Sequence, residues 1–211
     1  YTFLNVNFYI IITRMQDAVT KRDSVTLALV QSFKSSLGTL SDDDIEINVE
    51  KGVVYVSISD KLLFNSGSFT VTTRAKKVLE KIAKVISDKP DLEFMVEGHT
   101  DNMLIDQEKA AETIPGVLDN WDLSVKRATS VVRILQNDYG VDPTKLVAAG
   151  RSFYMPIADN DSSVSRAVNR RTRIIVLPKL DQFTKLIEEG MSMNVPATGP
   201  SDTISSDNKP D

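Results

Sequence analysis

The chain has 211 residues, 41% hydrophobic and 26% charged, with 25 basic against 29 acidic side chains and a net charge of -4. That length suffices for one domain with a real core plus extensions, and the slight acidity argues against a general nucleic-acid binder. There is no cysteine and His99 is the only histidine, which excludes disulfides, thiol catalysis, thiolate zinc sites and chemistry that needs a second imidazole.

The chain opens on Tyr1 without an initiator methionine and reads as a fragment or processed form, with room for a signal peptide or a lipid-anchor cysteine lost upstream. The apolar run from Phe3 to Ile12 is interrupted by Asn5 and Asn7. It is about half the ~20 residues a membrane helix needs, and is read as a strand-like extension, with the tail of a longer hydrophobic segment as the alternative. Residues 13–37 predict a weakly amphipathic helix on Met15, Val19, Leu29, Val30, Phe33 and Leu37, stopped by Gly38. It is read as a linker or coiled-coil end leading into the domain.

Two alternating segments follow, Ile45 to Val49 and Val53 to Ser59, joined by Lys51-Gly52 as a hairpin turn. Residues 60–70 read as a loop. From Thr73 to Ser87 the period turns helical, with Ala75, Val78, Leu79, Ile82, Val85 and Ile86 on one face and lysines mostly on the other. Leu92 to Glu97 reads as a strand ended by Gly98. A second helix is expected from about Trp121 to Tyr139 with Asn120 as its N-cap. The connection from 102 to 120 is far longer than the few residues usual for such a turn; its charges and Pro115-Gly116 suit an exposed flap. Lys145 to Ala149 is a short strand, 151–169 a long loop and Arg171 to Leu177 the last strand. A short helix over 181–189 and a disordered tail beyond 190, rich in Ser, Pro, Asn and Asp, complete the chain.

The order β-β-α-β-α-β-β predicts an α/β (α+β) two-layer sandwich, a mixed sheet with helices on one face. Residues 1–40 form an extension, 41–180 the domain and 181–211 a helix and tail.

Asp101 lies just past a strand end, and Arg127 sits in the first turns of the helix returning from the same rim. A carboxylate and a forked guanidinium on one rim suit a ligand carrying both charges; an internal salt bridge with no ligand is the alternative. His99 has no aimed nucleophile or oxyanion partner beside it, so no catalysis is expected; its expected role is to hydrogen-bond loop backbone. Arg166, Arg170, Arg171 and Arg173 form a second basic cluster, read as clamps on loops and acidic side chains, with phosphate binding as the sharper alternative. Trp121 is read as packing.

Gly98-His99-Thr100-Asp101, Asn120, Leu123-Ser124, Arg127-Ala128, Gly140-Val141, Lys145-Leu146, Gly150, Pro156, Asn160, Arg166 and Asn169-Arg170-Arg171 together resemble the OmpA-like C-terminal domain family, which includes peptidoglycan-associated lipoproteins and the flagellar stator protein MotB. Leu63-Phe64-Asn65-Ser66-Gly67 is similar to the family's first-loop motif. The resemblance covers roughly Ile45 to Leu177. It implies non-covalent binding of peptidoglycan through the diaminopimelate of the stem peptide, with Asp101 taking the ligand's ammonium and Arg127 its carboxylate. Thr100, Asn102, Asn65 and Leu123 would line the pocket, and Asn169 and Arg170 would support it. It further implies a periplasmic module tied to the outer membrane through an upstream anchor, with no cofactor, metal or nucleic acid, or else a subunit of a larger envelope or motility complex. Two departures stand out: the long gap between Asp101 and Asn120, and Asn102-Met103-Leu104 where a glycine often follows the aspartate.

Overall fold

The computed structural model describes residues 2–38, 44–65 and 67–177, and within the first helix not the side chains of 2–8, 10 and 11. The elements run α1 (Thr2–Leu37), β1 (Ile45–Glu50), β2 (Val53–Ser59), α2 (Asp60–Leu63), α3 (Thr73–Ser87), β3 (Glu93–His99), α4 (Gln107–Thr113), α5 (Asn120–Arg133), β4 (Leu146–Gly150), α6 (Ser163–Asn169) and β5 (Arg171–Leu177). The helix and tail expected after 180 lie outside the described residues.

The five strands form one mixed sheet in the order β1-β2-β5-β3-β4. Among the described residues only β3 and β4 pair in parallel; β5 inserts antiparallel between β2 and β3. The β1–β2 hairpin turns on Lys51 and Gly52, both at positive φ (52° and 79°), the backbone twist that a two-residue hairpin favours. Val54, Val56 and Ile58 of β2, Ile174 and Val176 of β5 and Phe94 and Val96 of β3 face one core, against the inner rows of α3 and α5. Most are essentially inaccessible, and each such aliphatic contributes roughly 1.5–3 kcal/mol.

The Phe3 to Ile12 segment is not strand-like. It is the start of α1, a continuous 36-residue helix, because neither its apolar run nor its asparagines interrupt helical backbone bonding. Among the described residues no helix is long and apolar enough to cross a membrane. The far end of α1 belongs to the core: Leu29, Phe33 and Leu37 are buried in it, and Ser36 Oγ donates to the Lys81 carbonyl of α3.

Three expected loops contain helices. Residues 60–63 form α2, capped by Ser59 Oγ, which accepts from Leu62 N. Residues 163–169 form α6, capped by Ser162. The 102–120 connection is no open flap: α4 brings Ala110, Ile114 and Val117 onto Leu123 in a small second core. A few apolar residues among charges sufficed to fold it back.

β3 does not stop at Gly98 but runs on through His99, with Gly98 opposite both Thr172 and Gly150. The glycines serve close approach instead. A Cβ on Gly98 would collide with the Ser124 carbonyl oxygen of α5, and one on Gly150 with Ser124 Oγ and the Val125 side chain. Asn120 is not the cap of α5. Asp119 is, its carboxylate accepting from Trp121 N at 2.8 Å and Asp122 N at 3.1 Å.

Candidate functional site

At the rim where β3 ends and α5 begins, four charged side chains meet. Arg127 leaves the second turn of α5 and is 4% exposed. Its Nε donates to the Ser68 carbonyl at 3.0 Å, and its Nη1 lies 3.0 Å from Asp60 Oδ1. Its guanidinium carbon stands 5.2 Å from the centre of the Phe64 ring. Asp101 is also buried; its Oδ1 accepts from Met103 N at 3.1 Å, and its Oδ2 is paired with Arg170 Nη1. Asp60 and Arg170 arrive together because the Asp60 amide donates to the Arg170 carbonyl, joining the start of α2 to the start of β5.

Asp101 and Arg127 therefore share one rim but are not each other's direct partners. Carboxylates and guanidiniums are matched in number, so the group is neutral as a whole. The matching is incomplete in direction. Although Arg127 lies at ion-pair distance, among the described residues no N–H is aimed at Asp60 Oδ1, which is buried without a hydrogen bond. Thr100 Oγ1 is likewise buried with no partner among the described residues. Burial raises the Asp60 pKa above the ordinary carboxylate value, with Arg127 and then Arg170 pulling against it. Burial likewise lowers the Arg127 pKa, opposed by Asp60, though a guanidinium stays protonated at neutral pH.

The other expected residues divide. Thr100 is buried at the rim, its amide donating to the Ser152 carbonyl. Asn102 and Asn65 are exposed; the Asn65 carbonyl accepts from Ser68 N and shapes the turn that presents Ser68 to Arg127. Leu123 packs in the small second core. Asn169 is fully buried and acts on the loop before it: its Oδ1 accepts from Ile157 N and Ala158 N, and its Nδ2 donates to Ala158 O and Asn160 Oδ1. Arg170 is the one of that pair that reaches Asp101.

Sequence reasoning missed Asp60, Phe64 and Ser68, and gave Asn120 the wrong task. Asn120 donates to the Met103 carbonyl at 3.0 Å and the Asp101 carbonyl at 3.4 Å, holding the lip behind the aspartate. A signal for Asp60 was present. It stands between a strand end and Leu62-Leu63-Phe64, where an acid is buried and requires a cation.

A second buried cluster lies on the sheet face away from α3 and α5. His99 does not bond loop backbone. Its place inside β3 puts Nε2 2.9 Å from Glu97 Oε1, and Arg151 Nε lies 2.6 Å from Glu97 Oε2. Burial alone would push Glu97 up, but His99 and Arg151 together outweigh it and hold its pKa at about 2. Burial lowers the His99 pKa, with Arg171 and Arg173 adding to that and Glu97 opposing. The remaining arginines are clamps. Arg166 donates to Asn160 O, and Arg171 to Asn169 O and Met155 O. Arg173 sits 3.9 Å over the Tyr55 ring and 3.3 Å from Glu50. Trp121 is half exposed, its ring 5.5 Å from that of Tyr154.

Asp101, Arg127 and Arg170 of this rim lie within a match to the OmpA family model over residues 63–170, just over half of the chain. The chain belongs to the OmpA family. It is 27% identical to motility protein B of Bacillus subtilis over 138 residues, which is 65% of this chain and 50% of that protein. It is 31% identical to outer membrane protein Omp38 of Acinetobacter baumannii over 137 residues, 65% of this chain and 35% of that one. The chain thus spans half of the first of these relatives and about a third of the second. Among solved structures it resembles the cell wall anchor of the type VI secretion system (T6SS) from Pseudomonas aeruginosa, at 30% identity and a TM-score of 0.58, covering 70% of this chain and 95% of that one.

Proposed function

We propose that the domain binds peptidoglycan without chemistry, by seating the amino-acid end of a diaminopimelate side chain between Asp101 and Arg127. Asp101 takes the ammonium and Arg127 the carboxylate. The observation that supports this most directly is the buried but incompletely bonded charge group at the rim. Arg170 is about a third exposed at its side chain, so it can leave Asp101 for the incoming carboxylate while the ammonium replaces it. The exchange conserves charge, and each charge-assisted bond contributes roughly 1.5–3 kcal/mol. Thr100 and Asn120 hold the lip behind Asp101. Asn65 shapes the turn over Arg127, Leu123 packs beneath, and Asn169 fixes the loop that delivers Arg170.

A lysine-type stem offers the amine without the terminal carboxylate, so the two guanidiniums lose their new partner; discrimination arises from that penalty. Calorimetry with diaminopimelate muropeptides should show binding that lysine-type muropeptides lack and that Asp101→Ala and Arg127→Ala abolish. Unchanged affinity in both variants would overturn the assignment. In the cell this activity would hold an envelope protein to the wall in the periplasm, through an outer-membrane anchor upstream. A second reading, a docking subunit of a motility-type complex, is favoured by the apolar residues Tyr9, Met15, Val19 and Leu27 left exposed along α1. Retention by such a complex without binding to purified sacculi would select it.

A further inference from the structure

The turn that covers Arg127 has a second side. Ser68 reaches Arg127 through its carbonyl, while the next residue, Phe69, walls a separate open cavity of about 300 Å³ whose other walls are Lys126, Thr129, Ser130 and Arg133 of α5. Those four positions follow at intervals of three, one and three and so share one face of the helix. The lining contains two cations and no acid. Lys126 Nζ donates to the Pro115 carbonyl at 3.1 Å and stands 5.4 Å from the Phe69 ring centre. Its position is thereby fixed while two of its three N–H donors stay available. Among the described residues the Arg133 guanidinium has no hydrogen bond or ion pair and the Ser130 hydroxyl has no partner, whereas the Thr129 hydroxyl is spent on the Val125 carbonyl. A point cation, a free fork, a free hydroxyl and an aromatic wall make a receptor for a carboxylate carried on a short apolar arm.

We infer that this cavity is a second anion subsite, and that it takes the α-carboxylate of the γ-linked D-glutamate that precedes diaminopimelate in the stem peptide. This rests on the peptidoglycan reading above and extends it from one residue of the ligand to two. The γ-linkage leaves that carboxylate free. Arg133 lies six residues beyond Arg127, about 9 Å along the helix axis and roughly a third of a turn around it, a separation that an extended diaminopimelate arm plus the glutamate side chain can bridge. Lys126 adjoins Arg127 in the chain but points about 100° away from it, so a single bound stem would cross the Ser68-Phe69 turn from the Arg127 side to the cavity, with a charge met at each end.

The test titrates the protein with three probes: free meso-diaminopimelate, the tripeptide L-Ala-γ-D-Glu-meso-diaminopimelate, and the same tripeptide amidated at the glutamate α-carboxyl. The acid tripeptide should bind five- to tenfold more tightly than its amide. Lys126→Gln and Arg133→Gln should each remove most of that gap, and both together all of it, with the affinity for free diaminopimelate held within twofold. If free diaminopimelate binds but acid and amide are equal in the unaltered protein, or the gap survives the double variant, the subsite is overturned and the primary site stands. If none of the three probes binds, the peptidoglycan reading fails, and the subsite with it.

Discussion

Two buried charge clusters, one on β3 and one just past its end, are built to different standards. On the outer sheet face Glu97 is bonded at both oxygens, to His99 and Arg151, and its pKa is held at about 2. At the rim Asp60 is raised by burial, and the oxygen nearest Arg127 accepts no hydrogen bond. Glu97, bonded at both oxygens, is a fastener. Asp101 is bonded at both oxygens too, by Met103 N and Arg170; the loose pairing at the rim is that of Arg127, which faces an Asp60 oxygen it does not hydrogen-bond. In the proposed reading Arg127 can therefore turn to a new carboxylate at little loss.

The largest expected effect comes from breaking the rim pair on its buried side. Arg127→Ala strands Asp60 and should cost about 3–5 kcal/mol in urea unfolding. Adding Asp60→Asn to that variant should return at least half of the loss, because the acid left behind is what carries the penalty. Next comes Glu97→Gln, expected to cost about 1–3 kcal/mol at pH 7 and to leave diaminopimelate binding unchanged. Its pH signature follows from the sign of the shift. With a folded pKa of about 2 against 4.5 for the free group, Glu97 stabilises fully above pH 4.5, and that contribution is lost as pH falls through 2. Acid unfolding curves of the variant should flatten across that window. Asn169→Ala should cost about 2 kcal/mol through its four hydrogen bonds to the 157–160 loop, and should raise hydrogen exchange there. The smallest change in stability, under about 1 kcal/mol, is expected for Asp101→Asn, since its partner Arg170 is partly solvated. Yet that variant should lose at least tenfold in ligand affinity. A large loss of stability with intact binding would instead put Asp101 on the fastening side of the comparison.

The sheet and its two main helices were legible because their periods are clean: α3 spans Thr73–Ser87 as its apolar spacing requires, and β2 alternates from Val53 to Ser59. The short helices α2, α4 and α6 were not, since seven residues or fewer carry too little period and their caps, Ser59, Asp106 and Ser162, suit loops equally well. At the rim, Asp101 and Arg127 could be placed from strand and helix ends alone. Of their actual partners, Arg170 was named only through the family resemblance and Asp60 not at all, because both come from segments far from them in the chain that only the sheet order brings together.

The bare Cα hydrogens of Gly98 and Gly150 have a reach well beyond their size. They set how low α5 rides over the sheet at Ser124, and Arg127 follows less than one turn later. The alignment of the rim is thus calibrated by two missing methyl groups that no ligand atom would ever meet. A methyl added at either place would lift the guanidinium out of true while leaving every charge intact, so recognition in this domain can be detuned from beneath the floor.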